Sequence, residues 1–180
     1  AFLLFPDANR DVPLAAHIGV VRHELSHGFV ANAIDLFRFE NRNVDIISAY
    51  DRSAVNEGFA DLLPVLTLDD PKVIPLPERE VDVFRDLSFV DDEDFYTMGT
   101  VIASFVWRIR ERVGDADETL LLAVDALERW EDEAWFEGET TAVRYADLFA
   151  TVVINAHPEI RSFVCRQFQQ RFFEPATSCS

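Results

Sequence analysis

The stretch His23-Glu24-Leu25-Ser26-His27 decides the fold and the chemistry expected of this 180-residue chain. It lies in an apolar-periodic segment that predicts a long helix from about Ala15 to Phe37. On a helix, an i,i+4 spacing places His23 and His27 on one face about a turn apart, where both imidazoles can bind one metal ion. Glu24 lies beside them and can reach a water on that metal. The alternative is a pair of surface histidines that flank a solvated glutamate and bind no metal.

A third metal ligand is expected downstream, because a catalytic zinc ion uses three protein ligands and keeps a fourth position open. The segment Asn56-Glu57-Gly58-Phe59-Ala60-Asp61 meets this expectation. Glu57 and Asp61 lie four residues apart on one face of a predicted second helix. We therefore predict that Glu57 binds the metal and that Asp61 accepts the free N–H of one zinc-bound histidine. The alternative is an acidic first helical turn that is favoured only by the helix dipole.

Together these residues resemble the gluzincin metallopeptidases, in which HExxH is followed by NExxxD. The match at Asn56-Glu57 and Asp61 looks like thermolysin and the fungalysin-type extracellular peptidases. The resemblance implies a zinc-dependent endopeptidase that acts on peptide or protein substrates, with Asn56 and Asp61 as outer partners of the metal ligands. It also implies a secreted or periplasmic location.

The same resemblance covers about residues 1–114 and implies a mainly α, α+β zincin-like fold. Ala1–Phe5 resembles the edge strand that precedes the active-site helix in the family and pairs with bound peptide. Most of the family's upstream β-rich subdomain has no counterpart in these 180 residues, so we expect either that it was removed or that this is a minimal version with an abbreviated cleft. Residues 1–180 are therefore expected to form one catalytic domain with a helical C-terminal subdomain. The interval from His27 to Glu57 is longer than in thermolysin and implies an inserted loop.

The oxyanion-stabilising group is the remaining catalytic residue to place. Thermolysin-like enzymes carry a histidine near the start of their third helix, where this chain has Tyr96 as the nearest candidate. Tyr50 is an alternative phenol donor. Both tyrosines are equally compatible with packing at an amphipathic boundary.

Helix start and stop signals divide the rest of the chain. The predicted helices run from Ala54, capped by Ser53, to Pro64; from Thr97 to Val113, stopped by Gly114; from an Asp115 or Asp117 cap to Trp130; from about Thr141 to Asn155; and from Pro158 to Phe173.

Composition excludes several classes of partner. The chain has 33 acidic and 16 basic residues, a net charge of −17, which disfavours nucleic acid and anionic membranes. No apolar run approaches the roughly 20 residues that a membrane span needs.

The acidic run Asp91–Asp94 offers a possible Ca²⁺ site, with a solvated loop as the alternative. Cys165 and Cys179 either form a disulfide in an oxidising compartment or leave Cys165 as a buried thiol.

A second function class stays open beside the peptidase. In it, the chain is a non-catalytic zincin-like module whose acidic helical surface binds another protein. The missing upstream subdomain favours this alternative.

Overall fold

Helices make up most of the chain. The computed structural model describes residues 17–33, 49–91, 94–136 and 141–179. The helices in these segments are α1 (Ile18–Ala33), α2 (Ala49–Leu68), α3 (Phe95–Val113), α4 (Ala116–Phe136), α5 (Ala142–Ala156) and α6 (Arg161–Phe172). Short 3₁₀ turns lie at Pro77–Arg79, Leu87–Phe89, Pro158–Ile160 and Thr177–Cys179. The mainly helical prediction is confirmed, and no strand occurs in these segments. The predicted edge strand Ala1–Phe5 lies outside them.

Capping residues set several of the helix ends. The Asp94 side chain accepts a hydrogen bond from the Tyr96 N–H at 2.9 Å, so α3 begins two residues before the predicted Thr97. Gly114 ends α3 in the left-handed region at φ 83°, as predicted from its position. The Asp115 side chain accepts from the N–H of Glu118 at 2.9 Å, which decides between the two predicted caps of α4.

The predicted bounds of α2 are wrong at both ends. The helix begins at Ala49, so Ser53 lies within it and is not its cap. Pro64 also lies inside the helix, which continues to Leu68. A mid-helix proline costs about 3 kcal/mol. Here that cost is outweighed because α2 is buried over most of its length against its neighbours, Pro64 included.

The crossing of α2 and α3 brings the site-bearing ends of these helices together. A Cβ built on Gly99 would lie 2.8 Å from the Gly58 nitrogen and 2.9 Å from the Ala54 carbonyl oxygen. Only glycine at this point allows the two backbones to approach so closely. The start of α3, with Tyr96, is therefore held near the part of α2 that carries Glu57.

An aromatic cluster stabilises the other half of the bundle. Phe105 of α3 makes edge-to-face contacts with Phe149, Phe168 and Phe172, at centroid distances of 5.6 to 5.9 Å. Such contacts add about 0.5–1.5 kcal/mol per pair to the burial of the rings. They anchor α5 and α6 on α3.

Cys165 and Cys179 form a disulfide, which settles the alternative left open by the sequence. The bridge joins α6 to the final 3₁₀ turn across a separation of 14 residues. In the chain-entropy account, a closed loop of this size contributes about 3 kcal/mol to stability.

The loop between α2 and α3 packs against the start of α1. A Cβ built on Gly19 would lie 2.1 Å from the Val73 carbonyl oxygen, so this contact requires glycine. The loop passes from here to Arg79 and returns to α3 at Asp94, bordering the region where α1 and α2 meet.

None of the helices in the described segments is long and apolar enough to cross a membrane.

Candidate metal centre

Three potential metal ligands from two helices converge at one end of the bundle. Nε2 of His23 lies 3.5 Å from Oε2 of Glu57, and Nε2 of His27 lies 3.6 Å from Oε1 of the same carboxylate. One ligand atom from each residue can be chosen so that all lie within 4.8 Å of one another. Two ligands at 2.0–2.1 Å from a tetrahedral zinc ion are about 3.4 Å apart. The measured nitrogen–oxygen separations are therefore close to the edges of a zinc tetrahedron.

The second nitrogen of each histidine is held by an oxygen from α2. Nδ1 of His23 lies 2.9 Å from Oδ1 of Asp61, and Nδ1 of His27 lies 3.2 Å from Oδ1 of Asn56. Because a carboxylate or an amide oxygen only accepts, both Nδ1 atoms act as donors. In the neutral form of each ring, Nε2 then carries the lone pair on the side of Glu57, where a metal ion can bind it.

His23 and His27 share one face of α1 because they are four residues apart, and this face packs on α2. Their rings meet edge to face with centroids 4.8 Å apart. A hydrogen bond from Arg22 Nη1 to Thr67 Oγ1, 2.9 Å long, also links the two helices. The side chain of Val30 is fully buried one turn after the motif. The helix pairing thus fixes the histidines against Glu57.

Arg79 is a part of the site that the sequence did not reveal. Its Nη2 donates to Oε2 of Glu57 at 2.9 Å and to Oδ1 of Asp61 at 2.8 Å. Its Nε donates to the same Asp61 oxygen at 3.1 Å. Arg79 is buried, so these charge-assisted bonds hold both carboxylates in a fixed position. The nearby sequence feature is Pro77 at the start of a 3₁₀ turn, and this feature does not indicate where the Arg79 side chain lies.

The electrostatics of the cluster favour a bound cation. Burial lowers the pKa of His23, but hydrogen bonds to Asp61 and Glu57 outweigh it and raise that pKa to about 9. Burial raises the pKa of Glu57, yet the hydrogen bonds with His23 and Arg79 bring it below its ordinary value. Without a metal, His23 therefore carries a proton between the two carboxylates at neutral pH. A divalent ion can take the place of that proton.

A cavity of about 290 Å³ opens over these groups. Glu24 and Tyr96 both line it, together with the three potential ligands. Within the described segments, the Glu24 carboxylate has no hydrogen bond or ion pair, so it can serve as a proton acceptor. Tyr96 is 44% exposed at the cavity mouth, and its ring lies 5.1 Å from the Arg79 guanidinium carbon. Partial burial and the nearby Glu57 charge raise the pKa of Tyr96, so its hydroxyl keeps its proton at neutral pH.

Tyr50 lies elsewhere. Its hydroxyl donates to the carbonyl oxygen of Asp91 at 3.3 Å, and it is not among the residues that line the cavity. Of the two phenols predicted as oxyanion donors, the structure places only Tyr96 at the site.

The predicted Ca²⁺ site at Asp91–Asp94 falls partly outside the described residues, since only its two end residues are placed. Asp94 caps α3, and the Asp91 N–H donates to Thr97 Oγ1 at 2.9 Å. These bonds serve the start of the helix.

Comparisons with protein-family models, curated proteins and solved structures gave no match to this chain.

Proposed function

We propose that this protein is a zinc-dependent metallopeptidase that cleaves peptide bonds. The observation that carries the proposal is the convergence of two Nε2 atoms and one carboxylate within 4.8 Å, with both Nδ1 atoms held by oxygens of α2. Two neutral imidazoles and a carboxylate are a donor set that catalytic zinc uses, and this set leaves one position for water or substrate.

Zinc bound by His23, His27 and Glu57 would supply a water of lowered pKa and a Lewis acid for the substrate carbonyl oxygen. The chain's own residues handle the protons. Glu24 takes a proton from the attacking water and returns it to the leaving amine. Tyr96 donates a hydrogen bond to the oxygen on which negative charge develops.

Arg79 and Asp61 act on the ligands rather than on the substrate in this proposal. Asp61 orients His23 through Nδ1, and Arg79 restrains Glu57 and Asp61 together. Positioning of this kind limits the reorganisation needed when the metal binds and when charge develops.

The substrate class follows from the walls of the cavity. Val20, Ile74 and Leu76 line it beside the polar groups. We infer that an apolar side chain next to the scissile bond packs against them, with Val20 of α1 one turn before His23. A volume of about 290 Å³ holds a few side chains, which fits a segment of peptide.

The proposal extends to family and location. The ligand order and the spacing within the HExxH and NExxxD motifs resemble gluzincins, and the disulfide between Cys165 and Cys179 supports an oxidising, secreted or periplasmic setting.

Zinc content and hydrolysis, measured together, test the proposal. Purified protein is expected to bind one zinc ion and to cleave a fluorogenic peptide library, with activity lost to a chelator and restored by zinc. Glu24→Gln should keep the zinc, because every ligand remains, but lose hydrolysis. Glu128→Gln, an exposed glutamate on α4, is the matched control and should change neither.

Two results would contradict the proposal. Hydrolysis that survives Glu24→Gln would require another base. Stoichiometric zinc without cleavage of any library peptide would favour the non-catalytic protein-binding module.

A further inference from the structure

A second cavity, of about 400 Å³, lies between α3, α6 and the loop before α3. It shares no lining residue with the cavity over the metal centre. Its walls include Val81, Phe84, Ser104, Trp107, Gln167 and Arg171. Its volume is in the range of small-ligand pockets.

Three buried donors in this cavity have no partner. Ser104 Oγ, Trp107 Nε1 and Arg171 Nε make no hydrogen bond within the described segments. The exposed fractions of these residues are 1%, 5% and 2%. A buried polar group without a partner costs about 1–3 kcal/mol, and more when it is charged. Three such groups around one cavity indicate a missing acceptor.

Arg171 also lacks a negative partner. Its Nη1 donates to Oε1 of Gln167 at 2.6 Å, and its guanidinium lies 4.6 Å from the centroid of the Phe84 ring. No carboxylate in the described segments forms an ion pair with it. Burial and the charge of Arg108 outweigh the opposing charge of Asp86 and lower the pKa of Arg171 to about 10. Among the described residues, Nε of Arg171 therefore remains without an acceptor, and the side chain lines the cavity from which an acceptor oxygen can approach the guanidinium.

We propose that this cavity binds the carboxylate group of an organic ligand. A carboxylate oxygen would satisfy the unpaired Nε of Arg171, and small rotations of the Trp107 and Ser104 side chains would bring two further donors to the ligand. Val81 and Phe84 provide apolar contacts for the rest of the ligand.

The charges around the cavity favour a singly charged group over a phosphate. Arg108 at its edge is paired with Glu111 at 2.5 Å, so Arg171 is the cation that still needs a partner. Asp82 also lines the cavity, and its repulsion is larger for a doubly charged phosphate than for a carboxylate. The carboxylate can belong to a free organic acid or to the C-terminus of a peptide, which share this chemistry.

The indole N–H signals of the ¹⁵N-labelled full chain give a direct test. Benzoate represents a free acid, and an N-acetylated apolar tripeptide with a free C-terminus represents a peptide. Benzamide and the amidated tripeptide are the uncharged controls, and ionic strength is kept constant. The Trp107 signal, assigned with Trp107→Phe, should shift saturably with at least one carboxylate. The Trp130 signal should stay, because its Nε1 already donates to the Thr141 carbonyl oxygen at 2.8 Å.

Variants connect the shift to the proposed donors. Arg171→Gln should raise the Kd of the carboxylate about 10- to 100-fold, as expected for a lost charge-assisted hydrogen bond. Ser104→Ala is the milder change and should raise the Kd about 3- to 10-fold. Arg166→Gln, which removes an exposed arginine on the same helix, should leave it unchanged.

Several outcomes would overturn the proposal. One is a Trp107 signal that responds to neither carboxylate. Another is an equal response of that signal to the uncharged controls. A third is a carboxylate Kd that is unchanged in both Arg171→Gln and Ser104→Ala. Binding of inorganic phosphate without binding of either carboxylate would overturn it too. A response to benzoate alone or to the tripeptide alone supports the site and identifies the source of the carboxylate.

Discussion

The two cavities differ in the sign of the charge that each leaves unmatched. At the metal centre, Glu57 and Asp61 share Arg79 and hold an additional proton on His23, so the cluster has room for a cation. At the other cavity, Arg171 has no carboxylate partner in the described segments and two neutral donors lie beside it. Cavity volume does not indicate which kind of ligand each site binds, since the larger of the two cavities is the one without a set of potential metal ligands. Unmatched charge and hydrogen-bonding capacity are better guides to the ligand.

One loop connects the two sites. It contributes Arg79 to the metal centre and, a few residues later, Val81 and Phe84 to the wall of the second cavity. The sites nevertheless use different helices for their charged groups, α1 and α2 for one, α6 for the other. Substitutions at one site are therefore expected to leave the ligand of the other in place.

Loss of a metal ligand is expected to have the largest effect. Glu57→Ala should abolish both stoichiometric zinc binding and hydrolysis, because two imidazoles alone do not complete the site. Metal analysis and peptide cleavage measure the loss. The Trp107 response to a carboxylate should persist in this variant, which also shows that the chain is folded. Zinc retained at full stoichiometry would remove Glu57 from the ligand set.

Loss of the charge behind a ligand should have an intermediate effect. Asp61→Asn keeps an oxygen for His23 Nδ1 but removes the negative charge that the ring and Arg79 share. We expect zinc affinity to fall about 10- to 100-fold, as is typical for outer partners of metal-bound histidines. Competition with a chromophoric chelator measures the change. Asp117→Asn, at an exposed position, is the matched control; an equal affinity in both variants would contradict this role.

Loss of the phenol should affect catalysis alone. Tyr96→Phe should lower kcat about 10-fold or more with little change in KM or zinc content, since the hydrogen bond forms chiefly in the transition state. Tyr50→Phe is the control and should leave kcat unchanged, because its hydroxyl contacts Asp91 outside the cavity. The reverse pattern would assign the donor to Tyr50.

The pH dependence of zinc binding should change affinity in the smallest steps, by up to about tenfold for each pH unit. His23 has to lose its proton to bind zinc, and its pKa is raised from 6.5 to about 9. Affinity should therefore rise as pH increases from about 6.5 to 9.

The stability of the metal-free protein should change in the opposite direction and fall as pH rises. A raised folded-state pKa stabilises the fold fully below the unfolded value of 6.5, and this contribution is lost as pH rises through about 9. Over this interval the free energy of unfolding should fall by at most about 1.4 kcal/mol per pH unit. Chemical denaturation of chelated protein at several pH values measures it. Zinc affinity that stays level over this interval would show that His23 is not protonated in the metal-free site.

Local signals in the sequence predict much of the helical framework and the three residues that converge as a potential ligand set. The i,i+4 pairs His23/His27 and Glu57/Asp61 define faces on their own helices, so their spacing predicted which side chains share a face. Gly114 and Asp115 end and begin helices through contacts within a few residues. Pro64 was misjudged, because burial of α2 against its neighbours outweighs the local preference of proline to end a helix.

The sequence by itself indicated which segments form helices and which side chains could bind a metal ion, because those properties depend on neighbours one turn away. The tertiary structure alone decided that Arg79 holds two carboxylates and that Arg171 meets none in the segments that the structure describes. Both arginines lie in segments whose sequence contains no pattern that points to their partners. Whether a buried charge meets its opposite depends on the packing of elements distant in sequence. In the described part of the chain, packing brings two carboxylates to Arg79 and none into an ion pair with Arg171.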